Sequence, residues 1–203
     1  MDVYKRPYNP KRPQVCFDER PKQLVAEARV PLARCPGHPA RYDYEYKRNG
    51  VANIFMMFEP LTGKRHVKVT ERRTKIDWAY CMRQLVDEIY PEAEQIVLVM
   101  DNLNTHKKAS LYEAFEPAEA KRIADKLEIH YTPKHGSWLN MAEIEMSVLS
   151  RQCLAERMDN ISRLDSEVRA WVEKRNTKQA KVDWRFTTAD ARIKLKKLYP
   201  SIE

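Results

Sequence analysis

The stretch IVLVMDNLNTH, Ile96 to His106, decides how this chain is read. Five apolar residues, rich in Ile and Val, run straight into Asp101. Such a run reads as a strand buried on both faces, inside a sheet covered by helices. A carboxylate at the end of that strand is costly to bury and calls for a partner or a cation. Two asparagines and His106 follow at once, so the strand delivers polar, ligand-competent side chains to one end of the sheet.

Working outward, residues 1–13 form a basic, Pro-rich, extended segment. QVCFDERPKQLVAEAR alternates as a strand, with Val15 and Phe17 on one face and Cys16 and Asp18 on the other. ARCPGHPARYDYEYKRNG reads as loop. VANIFMMFEPLTGKRHVKVT reads as two strands joined by a turn at Pro60 to Gly63. TKIDWAYCMRQLVDEIYP is a helix stopped by Pro91, and HKKASLYEAFEPAEAKRIADKL is helical with a break near Pro117. EIHYTP is a short strand, NMAEIEMSVLSRQCL a helix, and RLDSEVRAWVEKRN and TTADARIKLKKLY two more. A hairpin-rich start followed by strand–helix alternation predicts an α/β fold, a mixed sheet flanked by helices. That is a ribonuclease-H-like layout, which other α/β folds share. The catalytic unit is expected over residues 14–160, with residues 161–203 a basic helical tail packed on the same domain.

Composition narrows the function. The chain has 203 residues, 43 % of them hydrophobic, enough for one domain with a real core. It has four glycines and neither a G-x-G-x-x-G nor a Walker pattern, which argues against dinucleotide and P-loop chemistry. No apolar run is long enough to cross a bilayer, and the N-terminus is not a signal peptide, so a cytoplasmic protein without a membrane partner is expected. A net charge of +8 favours an anionic partner, most commonly nucleic acid, although a merely basic surface fits equally. Cys16, Cys35, Cys81 and Cys153 are widely spaced and expected to be reduced. Cys35 and His38 lack the second ligand pair that a structural zinc site needs.

Three acids stand out: Asp18 in the first strand, Asp101, and Glu143 at the start of a helix. Carboxylates on adjacent strands and a nearby helix can meet at one end of a sheet, where they repel unless protonated or bound to cations. All-oxygen ligands suit Mg²⁺ or Mn²⁺. Two such ions, about 3.5–4 Å apart, clamp the attacking and leaving oxygens in phosphodiester chemistry. Each acid also has an ordinary structural role open to it. Asp18 can pair with a nearby arginine, Asp101 can cap the turn after its strand, and Asn140 and Glu143 have capping-box spacing. Helical periodicity points a different way for the third acid. It places Glu145 in the apolar arc with Met141, Ala142, Met146 and Leu149, and Glu143 opposite, beside Ser147 and Ser150.

VLVMDNLNTH, HYTPKHGSWLNMAEIEMSVLSRQ and DWRFTTADARIKLKKLYP resemble the catalytic domain of bacterial insertion-sequence transposases of the mariner superfamily, the insertion sequence 630 group. The resemblance runs from VCFDE to KLYP. It implies a ribonuclease-H-like fold and a DDE triad of Asp18, Asp101 and Glu143 holding two Mg²⁺ (or Mn²⁺) ions. It also implies DNA cleavage at transposon ends and strand transfer into a TA target, by a homodimer in the active complex. It selects Glu143 over Glu145. Asn102, His106, Lys134, His135 and Trp138 are candidate substrate-binding residues, and Arg192, Lys194, Lys196 and Lys197 are candidates to track phosphates. The separation of Asp101 from Glu143 exceeds the compact spacing of mariner relatives, and the extra length falls in AFEPAEAKRIADKLE, outside the site. The helix-turn-helix region usual in the family does not precede the first catalytic strand, which fits the second frame of a two-frame element or a truncated remnant. A nuclease of the same fold that cuts without rejoining, and a non-catalytic DNA-binding remnant, are the alternative readings.

Overall fold

The computed structural model describes residues 2–41, 43–133, 136–182, 184–194 and 196. Its strands are β1 (Gln14–Glu27), β2 (Tyr46–Glu59), β3 (Lys64–Thr70), β4 (Ile96–Met100) and β5 (Leu127–Tyr131). They form one mixed sheet in the order β3-β2-β1-β4-β5. β1 pairs antiparallel with β2 and parallel with β4. The helices are α1 (Lys75–Gln84), α2 (Ala109–Ala114), α3 (Pro117–Lys126), α4 (Met141–Gln152), α5 (Ile161–Thr177) and α6 (Thr188–Lys194). No helix among the described residues is long and apolar enough to cross a membrane.

Side chains of a strand alternate between faces, and here the two sets enter two different cores. Val15, Phe17, Leu98 and Met100 pack with Trp78 and Met82 of α1, Leu111 of α2 and Ile123 of α3. Cys16, Met56, Val97 and Val99 pack with Met146 and Leu149 of α4 and with Leu164 and Val168 of α5. All five residues of β4 are therefore buried, which is why that stretch carries no polar alternation. α5 shares the α4 core and is built into the same layer.

The structure extends or divides three of the expected elements. β2 begins at Tyr46, inside a stretch that reads as loop, because its first six residues are exposed and show no apolar period. They pair instead with the outer arm of β1, across a register shift between Gln23 and Val25. Gly50 lies opposite that shift with φ +95°, a conformation L side chains rarely adopt, as a bulge requires. α1 starts at a Thr74–Asp77 capping box and runs on into a π-helical turn, Leu85–Ile89. α2 and α3 are separate helices, with Pro117 at the first position of α3, where it is tolerated. The expected last helix is described to Lys194; Leu195 and residues 197–203 lie outside the described residues.

One buried polar network ties the second layer to the sheet. Arg65 on β3 is fully buried. Its Nε donates to Glu145 Oε1 at 2.6 Å, and its two terminal nitrogens donate to the Gly63 and Ala180 carbonyls. Arg175 of α5 donates to the same Glu145 carboxylate. Glu145→Gln removes the charge that compensates two guanidinium groups, one of them without access to water. A loss of about 3–5 kcal/mol is expected. Breaking the exposed Lys121–Asp125 pair on α3 should leave the urea midpoint almost unchanged, because water screens it. Urea denaturation of Glu145→Gln and Asp125→Asn measures both.

Candidate active site

Parallel pairing of β1 with β4 brings the first two acids abreast. Cys16 faces Val99 across the ladder, and Asp18 and Asp101 each lie two residues further on. Neighbouring strands lie about 4.8 Å apart, so the two carboxylates leave adjacent backbones. The alternation that sends Cys16 into the α4 core gives Asp18 the same face.

Glu143 comes to that face through Asn140. The Asn140 side chain caps α4 by accepting from the Ala142 N–H at 3.0 Å. Its amide nitrogen donates to the Phe17 carbonyl of β1 at 2.7 Å. The start of α4 is thus fastened to the backbone one residue before Asp18. The capping-box role open to Glu143 does not form: its own N–H bonds the Asn140 carbonyl, and one oxygen of its carboxylate, Oε2, is buried without a hydrogen-bond partner. Glu145, two positions on, faces the other way into Arg65 and Arg175. Glu145 is the buried acid that helical periodicity indicated, and Glu143 lies near enough to Asp18 for its charge to act there.

Of the other ordinary roles, Asp101 does hold the turn after its strand, through His106, whereas the arginine beside Asp18 turns elsewhere. Asp18 accepts from the Glu19 N–H, and the neighbouring Arg20 reaches Ser150 of α4. Burial pushes the Asp18 carboxyl up to about 7; the Glu19 N–H opposes this, and the charges of Asp101 and Glu143 add to the rise. Asp18 is therefore within electrostatic reach of both other acids. Among the described residues no group of three His, Cys, Asp or Glu side chains is arranged to hold a metal ion. The oxygen chemistry of the three acids is nevertheless that of a hard divalent cation, which would offset the repulsion on Asp18 and give the orphaned Glu143 Oε2 a partner.

Asp101 Oδ1 is held by His106 Nδ1 at 2.6 Å. His106 Nε2 lies 2.5 Å from Glu19 Oε2. Burial works against charge on this imidazole, but the two carboxylates outweigh it and raise His106 to about 9. Glu19 is a functional candidate that the sequence reading missed. Alternation could have found it, since Glu19 follows Val15 and Phe17 on the buried face of β1.

The remaining candidates are dispersed. Asn102 is exposed on the loop after β4. Trp138 is half-buried, with Phe186 edge-on at a centroid distance of 5.1 Å and Lys194 Nζ 4.4 Å from its ring centre. The C-terminal segment thus covers it and occupies Lys194, whereas Arg192 and Lys196 are exposed. Lys134, His135 and Lys197 lie outside the described residues.

Residues 13–165 match the family model described as DDE superfamily endonuclease. The chain belongs to the DDE superfamily of endonucleases. No curated protein matches. Among solved structures, the Mos1 mariner paired-end complex with Mn superposes with a TM-score of 0.58 at 14 % identity, over 88 % of this chain and 54 % of that one. The Mos1 strand transfer complex gives 0.56 at 13 %, over 88 % and 55 %, and a pre-cleavage Mos1 transpososome 0.55 at 14 %, over 88 % and 57 %. The fold of this DDE endonuclease domain is therefore ribonuclease-H-like, and the chain spans just over half the length of the Mos1 chains.

The charges give this domain a stability that declines with pH. His106 is raised above its ordinary 6.5, so its ion pairs contribute in full below 6.5 and are lost as pH rises through about 9. Asp18 is also raised, from 3.8 to about 7, so the fold favours its protonated form and loses stability as pH rises between those values. In chelator, urea midpoints should fall across both windows. Asp18→Asn should flatten the lower window and His106→Gln the upper.

Proposed function

We propose that this chain is the catalytic domain of a DNA transposase, in which Asp18, Asp101 and Glu143 hold divalent cations, Mg²⁺ or Mn²⁺, for phosphodiester cleavage and strand transfer. The observation that supports the proposal is that Asp18 of β1 feels the charges of Asp101 at the end of β4 and Glu143 at the start of α4, while Glu143 Oε2 is buried without a hydrogen-bond partner. Family membership supports the nuclease chemistry, and the likeness to Mos1 complexes with transposon ends supports DNA as the substrate. The resemblance to mariner-type insertion sequences adds a TA target, two ions per site and a dimeric active complex.

The cations, when bound, supply charge neutralisation at the reacting phosphate and a nucleophile of lowered proton affinity. The protein supplies position. Asn140 and Arg65 fix the helix that carries Glu143, the β1–β4 ladder fixes Asp18 beside Asp101, and His106 restrains Asp101. Side chains held by rigid elements give the geometric precision that in-line displacement needs. The net charge of +8 favours the phosphate backbone.

Asp18→Asn, Asp101→Asn and Glu143→Gln should each lower Mn²⁺-dependent nicking of duplex DNA by roughly a thousandfold, as loss of several kcal/mol of metal-centred stabilisation implies. Circular dichroism should remain that of the wild type. Wild-type nicking that persists in chelator would refute the proposal. Joining of a cut 3′ end to a second duplex distinguishes a transposase from a nuclease that only cuts. DNA binding by the isolated chain should be sequence-insensitive and should weaken linearly on a log–log plot against salt. Fluorescence anisotropy across a salt series tests this, and tight binding to one sequence that ignores salt would contradict it.

A further inference from the structure

We propose that Glu19 is a positioning residue that acts through His106 to fix the orientation of Asp101; the inference rests on Asp101 being a cation ligand. Asp18 and Glu19 are consecutive on β1, so they serve opposite faces of the sheet. Asp18 looks to the α4 layer. Glu19 looks to the α1 layer, where its side chain is 4 % exposed and meets an imidazole that is 1 % exposed. The imidazole is thus held at both nitrogens, by Glu19 at 2.5 Å and Asp101 at 2.6 Å. A ring flanked in this way donates at both ends and has neither a tautomer nor a flip left open.

The rest of the pocket removes the ring's remaining freedom. Phe17 lies edge-on to it at 5.3 Å and Trp78 covers it at 6.1 Å. The His106 N–H bonds the Leu103 carbonyl, and the His106 carbonyl accepts from Tyr131. The most exposed partner in this chain of bonds is Asp101, one quarter exposed at the sheet end. Committing its Oδ1 to the imidazole weights cation coordination towards Oδ2. A buried ionic group is no better for stability than a well-packed apolar side chain, so a carboxylate at position 19 is explained by what it orients.

The test is Mn²⁺ affinity of the full chain, read from the paramagnetic resonance of free Mn²⁺. Glu19→Ala and His106→Gln should each weaken binding about tenfold to a hundredfold, as loss of a second-layer ligand does. The double variant should lose little more, because both changes cut one chain of bonds. Glu19→Gln keeps an oxygen to accept from Nε2 and should stay within a few-fold of wild type. Glu59→Gln removes a buried carboxylate elsewhere on the sheet and should leave affinity unchanged. In metal-free protein, two ring N–H proton resonances downfield of the amides are expected, and Glu19→Ala should lose the Nε2 one. Should Glu19→Ala not fold, Glu19→Asp carries the test: it is too short to reach Nε2 and should show the same weakening. Wild-type affinity in the folded Glu19 variant overturns the positioning role while the catalytic reading stands. A wild-type chain that binds no Mn²⁺, or binds it as well with Asp101→Asn, overturns the catalytic reading and this inference with it.

Discussion

The ion pair between Glu145 and Arg65, reinforced by Arg175, is the constraint on which the rest of the architecture turns. It joins four parts of the chain: β3, α4, α5 and the turn at Ala180. A helix held at one position on one face has its rotation fixed, so pinning Glu145 inward turns Glu143 the other way, towards Asp18. The backbone complies at Gly63, where φ is +73° and a Cβ would lie 2.8 Å from the Gln179 backbone. Only glycine allows that approach, and its carbonyl is one of the acceptors that hold Arg65.

The two faces of the sheet divide the labour. One face carries two of the three acids proposed as cation ligands: Asp18 and, from α4, Glu143. The other carries Glu19 and His106 behind them, among Phe17 and Trp78. Asp101 stands where β4 ends and belongs to both. The arrangement stores repulsion on the open side and hydrogen bonds on the closed side. Such a site sacrifices some stability of the empty domain for readiness to take positive charge.

Much of this was legible in the sequence, for identifiable reasons. The IVLVM run announced a doubly covered strand because apolar side chains on both faces leave no alternation to misread. α4 announced itself by period, and the place of Glu145 in its apolar arc is the place the structure gives it. The outer arm of the β1–β2 hairpin was invisible because exposed strands carry no apolar period, only pairing. The role of Asn140 was half legible. Its spacing to Glu143 suggested a reciprocal cap, whereas the tie to the Phe17 carbonyl depends on a strand more than a hundred residues away. Glu19 was hidden by its neighbour: beside a candidate catalytic aspartate it read as one more charge. Nothing local in the sequence pairs it with His106, 87 residues further along.

Asn140 has one more consequence. Because it anchors α4 directly to β1, the helices between Asp101 and Glu143 do not by themselves set the place of the start of α4 against β1. α2 and α3 lie in that interval, and their buried residues Leu111, Ala120 and Ile123 all belong to the layer on the far side of the sheet. The interval is a detour with both ends fixed. Insertions in α2 or α3 therefore fall on the face of the sheet away from Asp18 and can be accommodated there without moving the Asn140 anchor.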